Sequence, residues 1–134
     1  MTTRAIGNFE VKMNPQPPDE KAGDPSIGRM LLDKQYDGNL EATSKGQMLA
    51  VATDVQGSAG YVAMECVTGT LNGRSGTFAL QHNGIMTRGV PHLTITVVPD
   101  SGTGDLVGLT GKMLVVIVDG KHSYEFQYGF AENP

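Results

Sequence analysis

Length, composition and charge set the first limits on this chain of 134 residues. The length fits one domain over residues 1–134, and 14 acidic against 10 basic residues, with no basic cluster, exclude the charge pattern of a nucleic-acid-binding protein. The one cysteine allows no internal disulfide, and residues 1–9 lack a signal-peptide pattern, so we expect a cytoplasmic protein. No apolar run approaches the roughly 20 residues that span a bilayer, so we expect no membrane partner.

The first predicted strand and the segment after it differ in pattern. Over residues 4–13, Phe9, Val11 and Met13 alternate with polar residues, which is typical of a half-buried strand. Residues 14–28 instead carry repeated prolines and charges, which cannot continue a ladder of hydrogen bonds and predict a long exposed loop. Such a loop either covers a binding site or only links two strands, and the sequence leaves both alternatives open.

Short apolar or alternating segments follow, separated by glycine and proline turns. With the first strand they make about nine segments and no helix longer than a turn, near the number of strands that closes a small barrel. We therefore predict an all-β fold, a single antiparallel barrel that is closed or nearly closed. The further strands are predicted at 29–36, 39–44, 47–53, 60–69, 74–83, 93–98, 111–118 and 121–130.

The Asn72-Gly73 pair predicts a two-residue type I′ hairpin turn, because this dipeptide tolerates positive φ at both positions. The resulting register sets Glu65 opposite Leu80 and places His82 at a diagonal position about 7 Å from Glu65 between backbones. A carboxylate on an apolar face is costly to bury without a partner, so we expect Glu65 and His82 to interact. Tyr61, Ala63, Glu65, Val67, Phe78, Leu80 and His82 share this face.

The opposite face of the same hairpin is also fairly apolar, with Val62, Met64 and Ala79. A hairpin that is apolar on both faces is expected to be covered on both sides, which predicts a subunit contact. We expect a homo-oligomer, and the oligomer expected first is a dimer. Cys66 on this face is predicted to be an inert buried thiol, and Met64 a core side chain.

The Asp119-Gly120 turn separates the faces of the last hairpin more cleanly. One face is apolar or aromatic and the other carries charged and amide side chains. The apolar face therefore points inward, and its tyrosines and histidine need hydrogen-bond partners for their polar ends. The inward residues include Met113, His122, Tyr124 and Tyr128.

The Asp37-Gly38 turn gives a less decisive register. A two-residue loop there sets Lys34 opposite Glu41, which predicts a surface ion pair worth about 0 to 1 kcal/mol. A further turn is predicted at Lys45-Gly46. Its inner face would then carry Leu40, Ala42, Leu49 and Val51.

Several motifs together resemble the bacterial domain-of-unknown-function family DUF3224, and the resemblance covers residues 5–128. That family is similar to the allene oxide cyclase barrels, so the resemblance implies an eight-stranded, calycin-like antiparallel barrel with an apolar interior open at one end. No catalytic motif of the cyclases matches here, and a shared fold does not establish an activity. The motifs are Lys34-x-Tyr36-x-Gly38-x-Leu40, Ala59-Gly60-Tyr61-Val62-Ala63-x-Glu65, Gly73-Arg74-x-Gly76-x-Phe78-x-Leu80-Gln81-His82-x-Gly84, Ser101-Gly102-Thr103-Gly104 and His122-x-Tyr124.

The pair Glu65 and His82 is the leading candidate for chemistry. Burial raises the pKa of a carboxyl group and a neighbouring imidazole can exchange its proton, so the pair is either a general acid and base or a buried structural contact. The histidines show no metal-ligand spacing, and we expect neither a metal nor a cofactor.

Three functions remain open. The first is a barrel that binds a small hydrophobic or amphipathic molecule, the second is an isomerase or cyclase that moves a proton on an unsaturated or carbonyl compound, and the third is a structural barrel filled by its own side chains. The first is favoured over an enzyme. The predicted ligand-binding residues are Tyr61, Glu65, Phe78, Leu80, His82, Met113, His122, Tyr124 and Tyr128, with Glu65 and His82 as catalytic candidates.

Overall fold

Eight antiparallel strands close into a barrel in the part of the chain that the structure, a computed structural model, describes, residues 2–17 and 26–131. Each strand pairs with the next along the chain, and the last pairs back on the first. The predicted all-β barrel and its eight strands are confirmed. The strands are β1 (Thr3–Pro15), β2 (Gly28–Gly38), β3 (Leu40–Ala52), β4 (Ala59–Leu71), β5 (Arg74–Thr87), β6 (Val90–Val97), β7 (Leu109–Val118) and β8 (Lys121–Phe130).

The connections between strands are mostly short turns. A single 3₁₀ turn at Gly104–Leu106 lies between β6 and β7. Within the described ranges, no helix has the length and apolar composition needed to cross a membrane. Part of the predicted loop at 14–28 belongs to β1, which continues to Pro15, and residues 18–25 of it lie outside the described residues.

Two of the three glycine turns have the predicted geometry. Asn72 and Asp119, the first residues of these turns, have φ values of +45° and +51°, as a type I′ turn requires. Glu65 therefore lies opposite Leu80, and the β7–β8 pairing also has the predicted register. Because residues two apart share a face, these turns determine which side chains point into the barrel.

The β2–β3 hairpin differs from the prediction. Gly38, with φ of +102°, still pairs with Gly7 of β1, so the chain reverses only after it. Lys34 consequently lies opposite Ser44, and its predicted surface pair with Glu41 is wrong.

The predicted turn at Lys45-Gly46 is also wrong, because β3 runs through it without interruption. The predicted segments 39–44 and 47–53 are therefore one strand. Leu40 and Ala42 do point inward. Leu49 and Val51 are exposed on the outer face instead, since the alternation continues unbroken along the strand.

Side chains fill the half of the barrel that contains the β2–β3 and β4–β5 turns. The rings of Phe78 and Phe126 stack there with centroids 5.8 Å apart, and such rings each contribute about 1.5–3 kcal/mol when fully buried. The loop before β7 closes this end, because Thr103 donates its N–H to Thr77 O at 2.8 Å and Leu106 is buried. We call this half the filled half, and the other the open half.

The barrel wall is least continuous between β6 and β7. These strands pair only at Ile95–Met113 and Thr96–Lys112. Further into the open half, a mostly apolar pocket of about 440 Å³ lies between the two strands. We call this the β6–β7 pocket; it is lined by Pro91, Leu93, Met113, Leu114, Val115 and Ile117.

Candidate functional site

The carboxylate of Glu65 is the centre of a polar cluster inside the barrel. Glu65 is only 1% exposed. Its oxygens accept hydrogen bonds from His82 Nε2 at 2.8 Å, Lys34 Nζ at 3.1 Å, Tyr36 Oη at 2.9 Å and Ser44 Oγ at 2.5 Å. The strands β2, β3, β4 and β5 are neighbours, so their inward side chains meet at one level of the barrel.

The pKa of Glu65 is lowered rather than raised. Burial alone would raise it, but the hydrogen bond from His82, the positive charge of Lys34 and the hydrogen bond from Ser44 together lower the pKa from 4.5 to about 2. The expectation that this carboxyl has a raised pKa is therefore wrong, because its donors and Lys34 outweigh the effect of burial. Glu65 is ionised at neutral pH and acts only as a hydrogen-bond acceptor.

Lys34 is the partner that the sequence reasoning missed. Its side chain is 8% exposed, and Nζ lies 3.1 Å from Glu65 Oε1 and 5.1 Å from the centroid of the Phe9 ring. A buried ammonium needs such a counter-charge. The sequence contained a signal for this position, because Lys34 shares the apolar face of β2 with Leu32 and Tyr36.

Tyr36 and Ser44 were also missed as donors. Tyr36 is fully buried, and burial together with the negative charge of Glu65 raises its pKa well above the usual value, so its hydroxyl is neutral and donates. Ser44 shares the inner face of β3 with Leu40 and Ala42. A buried carboxylate requires several donors, and their positions could have been sought on the same faces as the apolar residues.

His82 has one ring nitrogen that is not used by the cluster. Because Glu65 carries no proton at neutral pH, Nε2 must carry the hydrogen of their 2.8 Å contact. Nδ1 has no hydrogen-bond partner among the described residues. No fully buried polar side-chain atom of those residues lacks a partner, so Nδ1 of this 5% exposed residue borders accessible space.

Tyr61 lies beside His82 on the inner face of β4, with ring centroids 6.4 Å apart. Its ring covers Gly84, where any side chain would collide with it. Burial and the charge of Glu65 raise the pKa of Tyr61, so its hydroxyl stays protonated at neutral pH. Within residues 2–17 and 26–131 this hydroxyl has no hydrogen-bond partner, and it is available to a ligand as a donor or an acceptor.

Residues 5–128 match the family described as "Protein of unknown function (DUF3224)". The chain belongs to the DUF3224 family. It is 48% identical to a DUF3224-family protein of unknown function from Shewanella oneidensis MR-1, whose crystal structure superposes with a TM-score of 0.90 and is matched over 98% of this chain and 100% of that one. Comparison with curated proteins found no match. The predicted family is confirmed, and its description contains no activity to transfer.

Of the other predicted ligand residues of this DUF3224 barrel, Leu80 lies directly opposite Glu65, and the hydroxyls of two tyrosines are already hydrogen-bonded elsewhere. Tyr124 accepts the N–H of Leu40 at 2.9 Å and donates to Asp37 O at 2.8 Å, so its hydroxyl is occupied. Tyr128 Oη accepts a bond from Asn72 Nδ2 at 2.6 Å. The filled half holds Phe78, Leu80, Tyr124 and Tyr128.

Two predicted residues lie on the walls nearer the open half. Met113 is buried and pairs with Ile95, which in turn pairs with His82. His122 is half-buried and packs against Phe9 with ring centroids 5.1 Å apart. The family barrel therefore brings Met113 close to the strands that carry His82 and Glu65.

The outer face of β4 differs from the prediction at two residues. Cys66 is exposed, not buried, and Met64 is 49% exposed rather than part of the core. Both follow from the register, which points them outward from the DUF3224 barrel. Among the described residues, no three His, Cys, Asp or Glu side chains are arranged to hold a metal ion.

Proposed function

We propose that this DUF3224 barrel binds a small, largely apolar molecule whose single polar group is held by His82 at the inner end of the open half. The observation that carries the proposal is the unpartnered Nδ1 of an imidazole that is only 5% exposed. Nδ1 has no protein partner in the described ranges and borders accessible space, so a ligand hydroxyl or acid group can donate a hydrogen bond to it. The nearby Tyr61 hydroxyl supplies a second hydrogen bond.

The β6–β7 pocket supports an apolar body for the ligand. It measures about 440 Å³ and is lined mostly by aliphatic side chains. Met113 lines this pocket and lies two strands from His82, with Ile95 between them. Two cross-strand steps of about 5 Å each separate Met113 from His82, so the proposed ligand must be about 10 Å long to extend from the pocket to Nδ1.

The charge of the site favours an uncharged or weakly polar ligand group. The negative charge of Glu65 is compensated by Lys34 at 3.1 Å, so with a neutral imidazole the cluster has no net charge. A strongly charged ligand would lose its hydration without a free counter-charge to replace it. Alcohols with apolar bodies can donate to Nδ1, and carbonyl compounds with apolar bodies can instead accept from the Tyr61 hydroxyl.

A matched pair of tryptophan variants tests the proposal. Val115 lines the β6–β7 pocket and is half-buried, whereas Val116 is exposed on the outer face of the same strand. Nile red, a neutral apolar dye, serves as the probe, and its fluorescence is titrated with the wild type, Val115→Trp and Val116→Trp. We expect Val115→Trp to weaken binding at least about tenfold, since the ring fills the pocket. Equal binding by both variants, or no binding by the wild type, contradicts the proposal and favours a filled structural barrel.

We also propose that two copies associate through the outer faces of β3, β4 and β5. Val62 is 53% exposed there, next to the exposed Leu49 and Ile85. Uncharged amides accompany this strip, with Asn83 opposite Val62 and with Gln47 and Gln81 on either side of Met64, and an exposed apolar strip of this kind is typical of a surface that associates with its own copy. A second copy is therefore the occupant that fits it.

A cytoplasmic location is the last part of the proposal. Cys66 is exposed and unpaired, and a free surface thiol persists in a reducing compartment. Cell fractionation followed by thiol alkylation of the unfolded protein checks this, because a cytoplasmic protein appears in that fraction with Cys66 as a free thiol.

A further inference from the structure

The contact between Glu65 and His82 has the geometry of an oriented base. The carboxylate holds Nε2–H at 2.8 Å, which orients the ring and leaves Nδ1 without a partner among the described residues. The same ionised carboxylate stabilises the positive charge that appears on the ring when Nδ1 takes a proton. An imidazole used only as a structural donor to Glu65 would not require accessible space at Nδ1.

From this arrangement we infer that His82 accepts and returns a proton, so that the barrel moves a carbon–carbon double bond into conjugation in small apolar carbonyl compounds. The inference rests on the proposed function, because the substrate would occupy the same pocket. The substrate class is a β,γ-unsaturated ketone, whose hydrogen between the carbonyl and the double bond is acidic enough for an imidazole base. Its carbonyl oxygen can accept a hydrogen bond from the Tyr61 hydroxyl, and its apolar body suits the mostly aliphatic lining of the β6–β7 pocket.

The reaction balances without any other reagent. His82 Nδ1 takes the α-proton, the C–H electron pair forms a double bond to the carbonyl carbon, and the carbonyl π electrons move to oxygen, giving a dienolate. The hydroxyl of Tyr61, which is protonated at neutral pH, donates to that oxygen. The imidazolium then returns the proton to the γ-carbon and the carbonyl re-forms, so the product is the conjugated isomer.

Other groups in the barrel fit the role of base less well. Glu65 is saturated by four donors, and Lys34 is held at 3.1 Å as its counter-ion. His122 packs against Phe9 and contacts no carboxylate among the described residues. In this scheme Glu65 is a positioning residue, and His82 is the group that touches the substrate.

The test uses cyclohex-3-en-1-one and follows the ultraviolet absorbance of its conjugated isomer, with competition against Nile red as a separate measure of binding. The variant His82→Gln keeps a donor for Glu65 but has no basic nitrogen. His92→Gln is the matched control, because His92 is exposed on the outer face of β6. We expect His82→Gln to lower the rate at least about a hundredfold, and His92→Gln to leave it within about twofold.

Rescue distinguishes chemistry from structure. Added imidazole should restore part of the rate of His82→Ala, which a merely structural role would not do. Competition with Nile red but no isomerisation, or an unchanged rate in His82→Gln, overturns this inference and leaves the binding proposal standing. If the ketone neither competes nor reacts, the inference fails. The binding proposal fails with it only if Nile red binds the wild type no better than Val115→Trp.

Discussion

Replacing Glu65 by glutamine should destabilise the fold in a pH-dependent way. The substitution keeps the shape of the side chain but removes the charge that compensates Lys34, whose side chain is only 8% exposed. The native pKa of Glu65 is about 2 against 4.5 for the free group, and each pKa unit corresponds to about 1.4 kcal/mol. Ionisation of Glu65 therefore stabilises the folded state by about 3 kcal/mol, within the range for breaking one partner of a buried ion pair.

The sign of the pH dependence follows from the lowered pKa. A carboxyl with a depressed native pKa contributes its full stabilisation above the unfolded pKa of 4.5, and that contribution is lost as the pH falls toward about 2. The difference in free energy of unfolding between wild type and Glu65→Gln should therefore be about 3 kcal/mol at neutral pH, and it should shrink steadily below pH 4.5.

Urea unfolding curves at a series of pH values provide the assay, with Glu41→Gln as control. Glu41 is exposed and its side chain makes no hydrogen bond or ion pair within the described ranges, so its replacement should change stability by less than about 0.5 kcal/mol. A difference for Glu65→Gln below about 1 kcal/mol, or one that does not change with pH, refutes the assignment of Glu65 as an ionised, charge-compensated group.

Two further predictions concern the outer face and the wall of the barrel. Met64→Lys should make the protein monomeric, whereas Thr68→Lys on the same face should leave it dimeric. Light scattering at micromolar concentration measures both. A monomeric wild type contradicts the proposed interface. Gly46→Ala should destabilise by about 1–3 kcal/mol, because the added Cβ would collide with the backbone oxygen of Met64 and lie 2.9 Å from the Cβ of Glu65. Gly28→Ala, with its nearest atom at 3.8 Å, should be tolerated, and equal melting temperatures of the two variants would contradict the close strand packing.

Local chemistry was enough to predict the hairpins whose register depends on the turn alone. Asn72-Gly73 sets the β4–β5 pairing, and through it the contact of Glu65 with His82. The β2–β3 register could not be derived in this way, because it depends on the pairing of Gly38 with Gly7, which is distant in sequence.

The displaced β2–β3 turn explains why the sequence analysis missed Lys34 as a partner of Glu65. It sets Lys34 opposite Ser44 instead of Glu41. The separate prediction of a turn at Lys45-Gly46 failed because β3 continues through it. The lowered pKa of Glu65 followed, since it depends on donors from three different strands. Alternation places Lys34 on the apolar face of β2. A lysine is nevertheless expected in solvent unless a buried carboxylate compensates its charge.

The protonation state of the His82 ring tests the account most directly. Long-range ¹H–¹⁵N correlation spectra at neutral pH should show His82 protonated at Nε2, where it meets Glu65 at 2.8 Å, with an Nδ1 resonance that shifts when Nile red or cyclohex-3-en-1-one is added. A His82 ring protonated at Nδ1 only, or an Nδ1 resonance that no bound molecule moves, would contradict both the ionised Glu65 partner and the binding role of His82.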